Sequence, residues 1–62
     1  MLTKREKQVV LLLAKGLSTD EIATELDCRH TTVRAHIRSI HLKLNTHNLH
    51  GLVGKVLMEG LA

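Results

Sequence analysis

EIATELDCRHTTVRAHIRSIHLKL occupies residues 21–44. In its second half Val33, Ile37, Ile40 and Leu44 stand at i, i+4, i+7 and i+11. At about 100° per residue these four fall within ~60° of arc on a helix. Arg34, Arg38 and His41 form the next row round, with Thr31 beside Arg38 and His30 between the two rows. Such a segment has one side that anchors it and another that presents positive charge. The spacing predicts a helix that starts between Arg29 and Thr31 and runs to Leu44.

The first half predicts a shorter helix packed against it. Ser18 and Glu21 have the S-x-x-E spacing of a capping box, in which hydroxyl and carboxylate each satisfy a free backbone N–H. Leu17 and Ile22 stand at the positions of a hydrophobic staple around that cap. Ile22, Ala23 and Leu26 make an inner stripe, while Asp20, Glu21 and Glu25 face water. The two early acids suit the positive end of a helix dipole. Asp27-Cys28 then makes a tight connection. Two helices joined by so short a turn, the second long and basic, read as a helix-turn-helix. Ala23 is small enough to let them approach closely.

Helices are also predicted on either side. Thr3 and Glu6 repeat the capping-box spacing, and Val9, Val10, Leu13 and Leu17 supply an apolar face. Leu11 and Leu12 widen that face, so the first helix is expected to pack on more than one neighbour. Gly16 is placed to end it in the left-handed conformation, and Asn45 to do the same for the third helix. Asn48 can cap a fourth helix that runs to Met58 or Glu59, with Gly60 as its stop. Its apolar positions are Leu49, Leu52, Val53, Val56 and Leu57. The fold class is all-α.

At 62 residues the chain is one domain, residues 1–62. A chain of this size buries only about 60% of its unfolded surface, so its stability is marginal. Hydrophobic residues make up 44%, with no Phe, Trp or Tyr, so the core has to be aliphatic. Cys28 is the only cysteine and cannot form an internal disulfide, which fits a reducing compartment. It reads as a small buried apolar residue. The longest apolar run, residues 9–14, is far short of the ~18 residues of a membrane span. The expected location is cytoplasmic, with no membrane partner.

Net charge is +3, and it is unevenly placed. From Cys28 to His50 there are four bases (Arg29, Arg34, Arg38, Lys43) and no acid, while the remainder carries five bases and six acids. All five histidines lie in the same basic segment. That asymmetry points to a polyanionic partner, set against the alternative of an ordinary solvated basic face.

At this point the chain resembles a known family. LTKRE at 2–6, AKGLS at 14–18, EIATEL at 21–26, TVRAH at 32–36 and IHLKL at 40–44 match the LTxRE, AxGxS, xIAxxL, TVKxH and IxxKL of LuxR-type (GerE or NarL-type) DNA-binding domains of bacterial transcription regulators. The resemblance implies a four-helix bundle whose second and third helices are the helix-turn-helix. The motif then spans about 19–38 and the recognition helix about 30–44. It implies sequence-specific binding of double-stranded DNA, with Arg34, Ala35 and Arg38 in the major groove. Arginine can donate a fork of hydrogen bonds to guanine, and alanine fits against a thymine methyl. Arg29, His30, Thr31, Thr32 and Lys43 are the candidate phosphate contacts. The family also implies dimerisation through the fourth helix, at Leu49, Leu52, Val53 and Val56, on an inverted-repeat site. The alternative is that these residues close the core of the monomer.

The chain departs from the family pattern at several places. Asp27 stands where the family usually has Gly, Arg29 where it has Ser, and Thr31 where it often has Lys or Arg. Asn45 replaces a frequent Gly, Thr46 an apolar residue, and Leu49 a basic one. These changes bear on DNA sequence preference more than on fold.

The histidines have no H-x3-H or cysteine pairing, so no metal site and no cofactor are expected. His36 reads as a structural residue at the edge of the apolar stripe. His30 and His41 are candidates to assist phosphate binding when protonated. No catalytic constellation is visible: the acids are scattered and Cys28 has no base nearby, so an enzyme is not expected. The competing reading is a protein-interaction module that dimerises with or modulates another regulator. RNA polymerase or an upstream regulatory domain is a further candidate partner, as for a response-regulator effector domain. Either an effector domain of a longer regulator or a stand-alone one fits this sequence.

Overall fold

The computed structural model describes residues 2–59, Glu59 by its backbone only. Four helices follow in order: α1 Lys4–Ala14, α2 Thr19–Glu25, α3 His30–Leu44 and α4 Leu49–Glu59. Among the described residues there is no strand. The expected stop at Gly60 lies outside the described residues.

Both expected capping boxes form. The Thr3 N–H donates to Glu6 Oε1 at 2.7 Å, and the Glu6 N–H to Thr3 Oγ1 at 3.1 Å. The Ser18 N–H donates to Glu21 Oε1 at 2.8 Å, and the Glu21 N–H to Ser18 Oγ at 3.2 Å. These bonds answer the donors that every helix start leaves unpaired. They also lower the pKa of Glu21, through its hydrogen bonds with Ser18. At α4, Asn48 Oδ1 accepts from the Gly51 N–H at 2.8 Å, as its position predicts.

Three helices end in the same way, each with one residue at positive φ. After α1 it is Gly16 (φ 93°), after α2 Asp27 (φ 53°), and after α3 Asn45 (φ 55°). At the first two, paired backbone bonds close the turn: Leu17 N–H to Leu12 O and Gly16 N–H to Leu13 O, then Cys28 N–H to Ala23 O and Asp27 N–H to Thr24 O. This is the Schellman arrangement, which satisfies carbonyls that a helix end exposes. The turn of the helix-turn-helix therefore places an aspartate in a conformation that glycine adopts without strain.

The core is aliphatic throughout. Leu2, Val9, Val10 and Leu13 meet Ile22, Ala23, Val33, Ile40, Leu44, Leu52 and Val56 in one cluster. Helix α1 packs against each of the other three helices through Val9, Val10 and Leu13, with Leu12 half-buried, whereas Leu11, expected to widen the packing face, is 44% exposed. Helix α3 also packs against the other three, while among the described residues α2 and α4 share no contact. Removing this much aliphatic surface from water, at about 25 cal/mol per Å2, holds the bundle together. The anchoring row of α3 is buried at Val33, Ile40 and Leu44, but Ile37 is only half-buried because it opens onto a surface groove.

Candidate nucleic-acid interface

The burial of one row of α3 leaves the opposite side in solvent. Arg34, Ala35 and Arg38 are all exposed there. So are Arg29, His30, Thr31 and Thr32 at the start of the helix. Apart from Arg29, which is the N-cap residue just before it, the residues that the sequence nominates for base and phosphate contact all lie on α3, and Lys43 is the one engaged elsewhere in the fold.

The start of α3 differs from the starts of α1 and α2. Arg29 has extended backbone (φ −81°, ψ 148°) and makes no side-chain cap. Its carbonyl accepts from the Thr32 N–H at 3.0 Å and the Val33 N–H at 3.2 Å, so the helix begins in register without a capping side chain. The positive end of its dipole faces solvent between two hydroxyls and a guanidinium. His30 Nε2 lies 3.6 Å from Asp20 Oδ1, with both side chains exposed, a pair that adds little stability.

Lys43 is placed differently from the sequence expectation. Its Nζ donates to Glu6 Oε1 at 2.7 Å, across 37 residues of chain. Glu6 is 3% exposed, so the ammonium is committed to a buried carboxylate, which competes with the nominated phosphate contact. Burial alone would raise the pKa of Glu6. Hydrogen bonds from Lys43, the Thr3 N–H and Ser39, with the charge of Lys43, overcome that and hold it at about 2 instead of 4.5. Lys43 fastens the end of α3 to the start of α1.

A groove of about 550 Å3 runs along α3 and reaches the α3–α4 connection. Arg34, Arg38, His41, Asn45 and His47 line it, with Thr19 at the near end of α2. His41 Nδ1 and Thr46 Oγ1 are 2.7 Å apart and hydrogen-bonded, which holds the imidazole against the connection. Among the described residues no carboxylate lines this groove. Asn45 and His47 were not nominated from sequence. Helical spacing could have joined Asn45 to Arg34, Arg38 and His41, but His47 comes close only through the left-handed turn.

The fourth helix divides its apolar residues in two. Leu52 and Val56, nominated for dimerisation, are 0% and 2% exposed and belong to the core of the monomer. They are corrected on that ground, since a side chain wholly inside one chain offers no surface to another. Leu49 is 51% exposed and Val53 half-buried, and both border a cleft of about 250 Å3 with Leu13 and His50. Leu57 and Met58 are exposed further along α4.

Among the described residues no three His, Cys, Asp or Glu are grouped to hold a metal ion. No helix among them is long and apolar enough to cross a membrane.

Comparison with known proteins agrees with this architecture. Residues 1–56 match the family described as bacterial regulatory proteins, luxR family. The chain is 49% identical over 47 residues to the HTH-type transcriptional regulator MalT of Vibrio campbellii, covering 76% of this chain and 5% of the relative. It is 51% identical over 43 residues to the MalT regulator of Yersinia pestis, covering 69% of this chain and 5% of the relative. The chain thus corresponds to a small part of these much longer proteins. A basic helix-turn-helix in a four-helix bundle, matched over nearly its whole length, is a non-enzymatic DNA-binding domain, and the chain belongs to the luxR family of bacterial regulatory proteins.

Proposed function

We propose that α3 enters the major groove of duplex DNA and reads base edges with Arg34, Ala35 and Arg38. The observation that carries this is the division of one helix. Val33, Ile40 and Leu44 are buried, while those three residues stand free on the other side. Arginines fixed in this way can make forked bonds to guanine, each good pair giving roughly 1–3 kcal/mol of discrimination. Arg29, His30, Thr31 and Thr32, at the uncapped start of α3, are suited to flanking phosphates. Lys43 contributes mainly through its bond to Glu6, which keeps α3 in position.

Two copies would pair through α4 on an inverted repeat. With Leu52 and Val56 inside the monomer, the proposed seam is the row Leu49, Val53 and Leu57. The same exposed row is what favours the second reading, a module that pairs with another regulator. A regulator of this kind acts on the nucleoid in the bacterial cytoplasm, and the MalT relatives suggest work within a larger transcription regulator.

Selection of bound sequences from random duplex DNA at two salt concentrations tests the proposal. Enrichment of an inverted repeat, with affinity falling steeply as salt rises, is expected. Binding without enrichment and with little salt dependence would favour the interaction module.

A further inference from the structure

We propose that the far end of the α3 groove, at His41, Asn45 and His47, seats the sugar–phosphate backbone of the DNA whose bases Arg34 and Arg38 read. This rests on the DNA-binding reading and extends it onto the α3–α4 connection. Among the described residues the charged and titratable groups around the groove are Arg34, Arg38, His41 and His47; α2 supplies only Thr19, and α4 none. The lining is thus wholly cationic or neutral, which suits a polyanion and repels nothing in it.

The shape of the lining favours a strand over a free anion. Leu42, 75% exposed, lies on the same wall as Arg34 and Arg38. The three stand at i, i+4 and i+8, so they run in one row along α3. An exposed leucine at the end of this basic row gives a deoxyribose an apolar surface while its phosphates meet the cations. His41 is held by Thr46, and a protonated imidazole donates from both nitrogens, so it can keep Thr46 and still bond a phosphate.

The test is a fluorescence titration of the full chain with its selected duplex, at pH 6 and between 50 and 200 mM salt. His47→Ala is the main variant, since His47 is exposed and lies outside the core. At pH 6 this variant should show a log–log salt slope shallower by about 0.9, the share of one neutralised phosphate. Over a fourfold change in salt that is a ~3-fold difference. The preferred bases should be the same for the two proteins. Leu42→Ala should weaken binding without changing the slope. Identical slopes for wild type and His47→Ala at pH 6 would overturn the proposal and leave the reading by Arg34 and Arg38 intact. Failure of the wild type to bind any duplex would overturn both.

Discussion

Glu6 and Lys43 join the first turn of α1 to the last turn of α3, Nζ to Oε1 at 2.7 Å. The same carboxylate oxygen accepts from the Thr3 N–H, so one buried group serves both a helix cap and a tertiary tie. A charge this deep is tolerated only because its partners are in place.

Removing the cation alone should therefore be costly. Lys43→Met leaves the Glu6 carboxylate buried and short of its strongest donor, and should lower stability by about 1–3 kcal/mol. Combining it with Glu6→Gln should recover part of that loss, because the stranded charge is gone. Urea unfolding of the single and double variants measures this. A Lys43→Met protein as stable as the wild type would show that the pair is incidental.

The same carboxylate sets an acid sensitivity. Its folded pKa, about 2, lies below its ordinary 4.5, so between these values the unfolded chain binds the extra proton. The stability it contributes is fully present above about 4.5 and is lost as pH falls toward 2. Glu6→Gln should flatten the fall in urea midpoint across that window. Parallel curves for variant and wild type would contradict the assignment.

Asp27 carries φ 53° at the turn of the helix-turn-helix, where glycine pays no steric penalty. Asp27→Gly should raise stability by about 1 kcal/mol or less, since the gain is partly offset by greater freedom in the unfolded chain. Thermal unfolding reads the sign. A lower midpoint for Asp27→Gly would mean that the aspartate holds the turn by some other means.

The exposed row of α4 makes its own prediction. Leu49→Gln with Leu57→Glu should abolish cooperative occupation of an inverted repeat and leave the affinity for a single half-site unchanged. Both side chains are at least half exposed, so the fold should survive. Titration of full and half sites separates the outcomes, and unchanged cooperativity would rule out this seam.

The elements were legible in the sequence because their signals are local. Thr3 with Glu6 and Ser18 with Glu21 mark helix starts three residues apart, and Gly16 and Asn45 mark ends that the structure confirms. The two sides of α3 follow from helical spacing in the same way. What was not legible depends on distant parts of the chain meeting. Nothing near Glu6 announces a lysine 37 positions away, so Lys43 read as a candidate phosphate contact. Leu49, Leu52, Val53 and Val56 form one apolar set in sequence, and only the packing of α4 against α1 and α3 decides which of them are consumed by the core. Ile37 likewise belongs to the buried row by spacing, but the groove beside it leaves it half open.

The most direct test of the central claim, that α3 reads DNA from its free side, is the affinity of Arg34→Ala and Arg38→Ala for the selected duplex, measured beside their helicity and urea midpoints. Each should lose about 1–3 kcal/mol of specific binding, roughly 5- to 150-fold, with relaxed base preference and an unchanged fold. Wild-type affinity in both variants, or unfolding of either, would contradict the orientation of α3 described above.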